Sequence, residues 1–318
     1  MNNIILGTMN IGYKYSSNQN NTPEYYKSII DQYIKLTNRN ERILDTAYYY
    51  GNTKTEQILG QILPDLIAPV KIATKANPWY MNDFTNGKLG QLSKPNIEKQ
   101  LTTSLSNLGQ DSVEIFFLHC PDYETPIIET LEACNDLWRQ EKFNNLGISN
   151  FSLIQMDNIL DDCDNHKIQS PNYYQGMYNV ISRKVEEIFP LLDDYDIEFW
   201  AYNPLAGGLL TGKYQSESTY HSNSRFKNND IYQNLFWKEP ILDTFEPFLK
   251  SKNCCKYSLQ WLEKKIKPSG KIILGVSTIE QLNQNISHLR NNNGLDIWND
   301  TIDEMYNKIK DISANYYY

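Results

Sequence analysis

Residues 113–119 read VEIFFLH, a short apolar run rich in β-branched and aromatic side chains that closes on a histidine. A run of this length without polar alternation suits a strand buried on both faces, as in a parallel sheet. Two upstream stretches have the same build: RILD at 42–45 ends on Asp45, and VKIATK at 70–75 ends on Lys75. Working outward, β-rich runs alternate with helical periodicity along the whole chain. Strands are expected at Ile4–Thr8, Arg42–Thr46, Val70–Lys75, Val113–His119, Asn145–Ser149, Asn172–Gln175, Ile197–Tyr202 and Lys271–Val276. Helices are expected at Pro23–Leu36, Thr55–Leu63, Asn96–Leu108, Pro126–Glu141, Ser152–Asp162, Val185–Asp194, Cys254–Lys264 and Ile279–Leu289, with Thr22 and Ser152 as N-caps. Alternating βα units around eight strands spell an α/β fold, the (β/α)8 TIM barrel. No Gly/Ser- or Pro-rich linker interrupts them, so residues 1–318 are expected to form a single barrel domain. The extended polar stretch at about 215–234 is expected to be a functional loop after strand seven. A last helix is expected at about 300–314, followed by an Asn315-Tyr316-Tyr317-Tyr318 tail that either frays or lies over the barrel mouth.

The 318 residues, 40% of them hydrophobic, can bury a large core. A formal charge of -8 opposes broad electrostatic capture of nucleic acid, so any phosphate site must be local. Cys120, Cys134, Cys163, Cys254 and Cys255 form no CxxC pair and no Cys/His zinc spacing, so free thiols in a reducing compartment and no metal are expected. The amino terminus, MNNIILGTMNIGYKY, lacks a secretory pattern, and no apolar run reaches membrane-spanning length. A soluble, cytoplasmic protein without a membrane partner is the expectation. Sequons at Asn20, Asn150, Asn285 and Asn299 carry no weight without a secretory signal.

In barrels of this kind the carboxyl ends of the strands converge on the active site. Asp45 alone could be a helix cap, Lys75 a solvated strand end, and His119 a core histidine. Together, an acid, a base and an imidazole at one end of successive strands point to chemistry. Tyr50, in DTAYYYGN at 45–52, would lie in the loop above Asp45; among 23 tyrosines it is singled out by its spacing from Asp45 and by Gly51 after it. A phenol is a poor acid at neutral pH, but a lysine cation in contact favours the phenolate and lowers its pKa. Asp45 would hold Lys75 protonated and oriented. A carbonyl oxygen could then take a proton from Tyr50 and a hydrogen bond from His119.

The pattern D-x4-Y-G, then T-K after strand three, then LH after strand four is similar to the catalytic tetrad of the aldo-keto reductase superfamily, and the match runs nearly end to end. NPLAGGLLTGKY at 203–214, FWKE at 236–239 and ILGVSTIEQLNQN at 273–285 resemble the branch containing aflatoxin-aldehyde and succinic-semialdehyde reductases. The resemblance implies NADPH-dependent reduction of aldehydes or ketones, with Asp45, Tyr50, Lys75 and His119 catalytic and Tyr50 donating the proton.

No GxGxxG fingerprint is present, so a dinucleotide would be bound by other means. Asn203, Pro204, Leu205, Gly207, Gly208, Leu210, Gly212 and Lys213 follow strand seven, where glycines let backbone amides approach a pyrophosphate. Gly207, Gly212 and Lys213 have P-loop spacing, but Tyr214 replaces the magnesium-binding Ser or Thr, which argues against an NTPase. Gly275 to Asn285 lead into a helix whose amino terminus can take the adenosine phosphate, and the resemblance implies contacts from Gly275, Ser277, Gln281, Gln284 and Asn285. Many superfamily members carry Arg where Gln281 stands; the aflatoxin-aldehyde branch has Gln, so NADPH is expected over NADH. The resemblance also implies that Ser149, Asn150 and Gln175 meet the nicotinamide carboxamide and that Tyr202 stacks on its ring; otherwise these are strand-end polar groups and a core aromatic.

The substrate is a small carbonyl compound on this reading, bound at Tyr50 and His119. Arg225 aligns with a branch arginine and would favour carboxylate-bearing aldehydes, the other reading being a solvated loop residue. Gln233 and Leu235 replace arginines common in the branch. A homodimer remains open. Two other roles remain: a cofactor-binding, redox-sensing or channel-type regulatory subunit with little turnover, and an isomerase or aldolase with Lys75 as a Schiff-base nucleophile. The second would need an uncharged lysine, which Asp45 opposes.

Overall fold

Successive side chains of a strand point to opposite faces, so a closed sheet sends one set inward and the other toward the helices. In the computed structural model, which describes residues 3–12, 22–39, 42–83, 87–214, 226, 230–266, 270–290 and 296–313, eight parallel strands close in sequence order: β1 Ile4–Gly7, β2 Ile43–Asp45, β3 Lys71–Ala76, β4 Val113–Leu118, β5 Phe143–Ser149, β6 Tyr173–Met177, β7 Glu198–Tyr202 and β8 Lys271–Gly275. Register pairs Gly7 with both Asp45 and Gly275, which joins the first strand to the last. Ile5, Ile43, Ala73, Ile115, Phe117, Trp200 and Ile273 form one buried cluster inside the barrel, while Ile4, Leu6, Leu44, Ile72, Phe116, Leu146 and Leu274 join the larger core against the helices. Continuing the inward set by two residues along β2, β3 and β4 arrives at Asp45, Lys75 and His119.

The helices are α1 Pro23–Leu36, α2 Lys54–Ile62, α3 Lys94–Leu108, α4 Ile127–Arg139, α5 Leu153–His166, α6 Phe189–Asp194, α7 Asp230–Phe236, α8 Glu239–Leu249, α9 Cys254–Lys265, α10 Ile279–Arg290 and α11 Asp296–Ile309. Both expected caps form: Thr22 accepts from the Tyr25 amide, and Ser152 and Gln155 make a reciprocal capping box.

Three expectations need correction. The helix expected over Val185–Asp194 is a 3-10 turn, Lys184–Ile188, followed by the short α6, because Pro190 supplies no N–H to continue the earlier ladder. The stretch expected to be loop to residue 234 turns helical at Asp230, with α8 directly behind it; Tyr232, Leu235, Phe236, Ile241, Phe245 and Phe248 bury their side chains and fold these segments onto the barrel. Residues 215–225, Arg225 among them, and 227–229 lie outside the described residues. The last helix starts at Asp296, ahead of the expected 300, and the 314–318 tail lies outside the described residues. No described helix is long and apolar enough to cross a membrane.

Candidate active site

Asp45, Lys75 and Gln175 reach the barrel axis from the inward faces of β2, β3 and β6. Lys75 Nζ donates to Asp45 Oδ1 at 2.7 Å and to the Thr46 carbonyl at 2.8 Å. The lysine side chain is 0% exposed and the aspartate 4%. Gln175 Nε2 donates to the same Asp45 oxygen at 2.9 Å, and Thr8 anchors the aspartate backbone by donating to its carbonyl. Burial pushes the Lys75 ammonium below the ordinary lysine range, and the Asp45 carboxylate opposes that shift. An uncompensated charge at this depth would neutralise; the pair and its hydrogen bonds are what allow an ammonium here.

The half-buried Tyr50 brings its ring to 5.3 Å from Lys75 Nζ, and the His119 ring centroid lies 5.9 Å from that of Tyr50. The loop that carries Tyr50 is pinned by Tyr48, whose amide donates to the Lys75 carbonyl, and turns through Gly51 at φ 58°. His119 follows β4; its Nδ1 is buried and carries no hydrogen bond. Burial, and then the Lys75 charge, hold its pKa well below the ordinary histidine range, so the imidazole is neutral at physiological pH. Tyr49 and Trp79 complete an aromatic wall, with Trp79 5.1 Å from His119 and 4.9 Å from Tyr49 between ring centroids. Sequence patterning gave no signal for Trp79, which is near the site only because the chain turns back after β3.

Ser149 and Asn150 stand at the end of β5. Asn150 Nδ2 donates to Ser149 Oγ and to the His119 carbonyl, and its Oδ1 accepts from the Tyr202 hydroxyl at 2.6 Å. This bond fixes the Tyr202 ring at the mouth. Asn150 itself is held in the left-handed region at φ 65°, a conformation asparagine tolerates better than most residues.

Between β7 and α7, Gly207 and Gly208 take φ 67° and 102°, backbone that a side chain would strain. Asn203 stabilises the turn by accepting from the Gly207 amide at 3.0 Å. Pro204 and Leu210 are buried, and the Leu210 carbonyl accepts from the Cys254 thiol. Leu205 and Gly212 are half-buried, whereas Lys213 is exposed. Gly275, the last residue of β8, is exposed; beyond it Gln284 is exposed, Ser277 and Gln281 are half-buried and Asn285 is buried. Gln281 Oε1 accepts from the Ser277 amide at 2.8 Å, and Thr278 accepts from the Gln281 amide at the start of α10. The two segments meet at Cys255, whose thiol bonds to Asn285 Oδ1 and feels the charge of Lys213. Lys213 and several neutral amides thus gather on these two segments. Among the described residues no cluster of His, Cys, Asp and Glu could hold a metal ion.

Glu56, on α2, went unnoticed in the sequence. It is 0% exposed, accepts from Thr74 and Ser104, and lies behind β3 within range of Lys75. Burial pushes its carboxyl up to about 7.

Comparison with known proteins bears on this geometry. The sequence model of the Aldo/keto reductase family matches residues 3–304. The chain is 40% identical over 266 residues to aflatoxin B1 aldehyde reductase member 2 of Rattus norvegicus, covering 77% of this chain and 70% of that protein. It is 37% identical over 266 residues to aflatoxin B1 aldehyde reductase member 4 of Homo sapiens, covering 77% and 78% respectively. A crystal structure of an aldo/keto reductase from Klebsiella pneumoniae, in complex with NADP and acetate, superposes with a TM-score of 0.67 at 20% identity over 95% of this chain and 90% of that one. That likeness is one of fold.

Proposed function

The chain belongs to the aldo/keto reductase family, and on that premise we propose that it is an NADP-dependent oxidoreductase that reduces small aldehydes or ketones to alcohols with Tyr50 as proton donor. The observation that carries the reading is the fully buried Lys75, bonded to Asp45 at 2.7 Å and 5.3 Å from the Tyr50 ring. A cation held there favours the phenolate and so makes Tyr50 a stronger acid. Neutral His119 has a proton to donate in a hydrogen bond but no charge to compete for the one Tyr50 transfers. Asp45 orients the lysine, and the Tyr49 and Trp79 rings keep water from the far side of the imidazole.

The donor set fits NADPH, which supplies a hydride when bound. Gln175 and Asn150 would take the carboxamide with Ser149, Tyr202 would stack on the ring, the 203–213 segment would follow the pyrophosphate, and Ser277, Gln281, Gln284, Asn285 and Lys213 would surround the adenosine phosphates. Membership of the family and relatives named aflatoxin B1 aldehyde reductases support a nicotinamide cofactor in general, and the residue contacts are the proposal's own. Carboxylate-bearing aldehydes are the substrates that Arg225 would favour, and the five unpaired cysteines suit a reducing compartment such as the cytoplasm.

Consumption of NADPH with 2-nitrobenzaldehyde, succinic semialdehyde and related aldehydes tests the proposal. The native protein should turn over, and Tyr50→Phe should lose at least about two orders of magnitude in kcat, the scale of a general acid. Unchanged turnover in Tyr50→Phe removes that residue from the role. Tight NADPH binding without reduction of any carbonyl would assign the protein to the regulatory-subunit role instead.

A further inference from the structure

Gln175 meets more of the site than a cofactor contact requires. It is 3% exposed on the inward face of β6, and its Nε2 donates at 2.9 Å to Asp45 Oδ1, the oxygen that also accepts from Lys75 Nζ at 2.7 Å. Asp45 is itself 3% exposed, so the two donors stand in for the water lost at its Oδ1. A primary amide has a donor end and an acceptor end; with Nε2 committed to Asp45, Oε1 is turned away from the carboxylate. Lys75 has three protons, of which Asp45 and the Thr46 carbonyl take two, and its Nζ lies 5.3 Å from the centroid of the Tyr50 ring.

We propose that Gln175 is a positioning residue coupling cofactor docking to the proton relay. A carboxamide bound at Oε1 locks Nε2 on Asp45, and that hydrogen bond holds the Asp45 carboxylate against Lys75, so a seated cofactor reinforces the placement of the ammonium beside Tyr50. The idea rests on the nicotinamide assignment above, and it assigns Gln175 an effect on turnover beyond affinity. The titratable groups around the pair are Asp45 on β2, Lys75 on β3, Tyr50 in the loop after β2, His119 after β4, Tyr202 on β7 and Glu56 behind β3. All six are common to native protein and variants, so differences between their pH profiles belong to position 175.

The test compares native protein, Gln175→Met and Gln175→Glu, measuring kcat against pH at saturating NADPH and, separately, the NADPH dissociation constant. Gln175→Met should lower kcat at saturation about tenfold, as loss of a hydrogen bond to a buried charge does, and displace its pH profile from the native one. In Gln175→Glu the new carboxyl mimics the amide only when protonated, so kcat should recover about tenfold as pH falls from about 8 to about 6, a rise absent from the native protein. If both variants weaken NADPH binding but keep native kcat and native pH profile at saturation, Gln175 is a cofactor contact only and the coupling is overturned. Should Gln175→Met fail to fold, the isosteric Gln175→Glu decides alone. Failure of the native protein itself to oxidise NADPH retires the functional reading, and the coupling with it.

Discussion

Glu56 shows what a single buried carboxyl can do to stability. Its hydrogen bonds from Thr74 and Ser104 do not offset burial, which raises it from 4.5 to about 7. A carboxyl raised on folding stabilises the native state while protonated, fully below its unfolded value near 4.5, and that contribution is lost as pH rises through about 7. The loss is about 3 kcal/mol from the conversion of pKa difference to free energy. Denaturant unfolding of native protein and Glu56→Gln across this window should show the native chain falling behind by about that amount; a stability difference that does not vary with pH would dismiss the effect. At the same scale, Asp45, Lys75, His119 and Tyr50 were legible in the sequence because the strand period and loop spacing brought them to one end of the sheet. Glu56 was not, since its burial depends on α2 and α3 closing over it.

At the level of elements, the strands were predicted within a residue or two because apolar runs of that length have few other uses in a parallel barrel. The helices depend on their neighbours. Gly60 lies where α2 meets α3, and a Cβ there would stand 2.0 Å from the Asn107 carbonyl oxygen. On an isolated helix Gly→Ala stabilises by up to about 1 kcal/mol. Here Gly60→Ala should instead destabilise by about 1–3 kcal/mol, the range for overpacking, seen as a lower urea midpoint; a higher midpoint would mean that the helices part at no cost. The helices α7 and α8 escaped the sequence reading because the polar stretch before them hid their start, and their apolar faces make sense only against the 206–211 turn and the barrel.

Across the whole molecule, α11 is tied to the mouth by Arg183, which follows β6. The guanidinium lies 4.3 Å from the Trp261 ring and 4.4 Å from that of Tyr306, and bonds to Asp303 at 2.6 Å. Ser313, just beyond α11, donates to the Ile181 carbonyl at 2.6 Å. A desolvated arginine between two rings is worth more than a surface ion pair. Replacing it, as in Arg183→Met, should speed amide hydrogen exchange in 296–309 by about tenfold or more while the barrel strands keep native protection. Equal acceleration in the strands would show that the clasp belongs to global stability and does not set the local stability of α11.

The sequence by itself determined the barrel and the gathering of Asp45, Tyr50, Lys75 and His119 at one end of it, because strand period, strand count and motif spacing are local properties that survive without knowledge of contacts. Only the tertiary structure decided that Gln175 shares the Asp45 oxygen with Lys75, that Tyr202 is fixed by Asn150, and that Lys213 and Asn285 meet at Cys255. Those pairs lie on different strands and loops. Closure of the sheet, which pairs Gly7 with both Asp45 and Gly275, brings such distant segments to one mouth, and burial there makes each hydrogen bond matter.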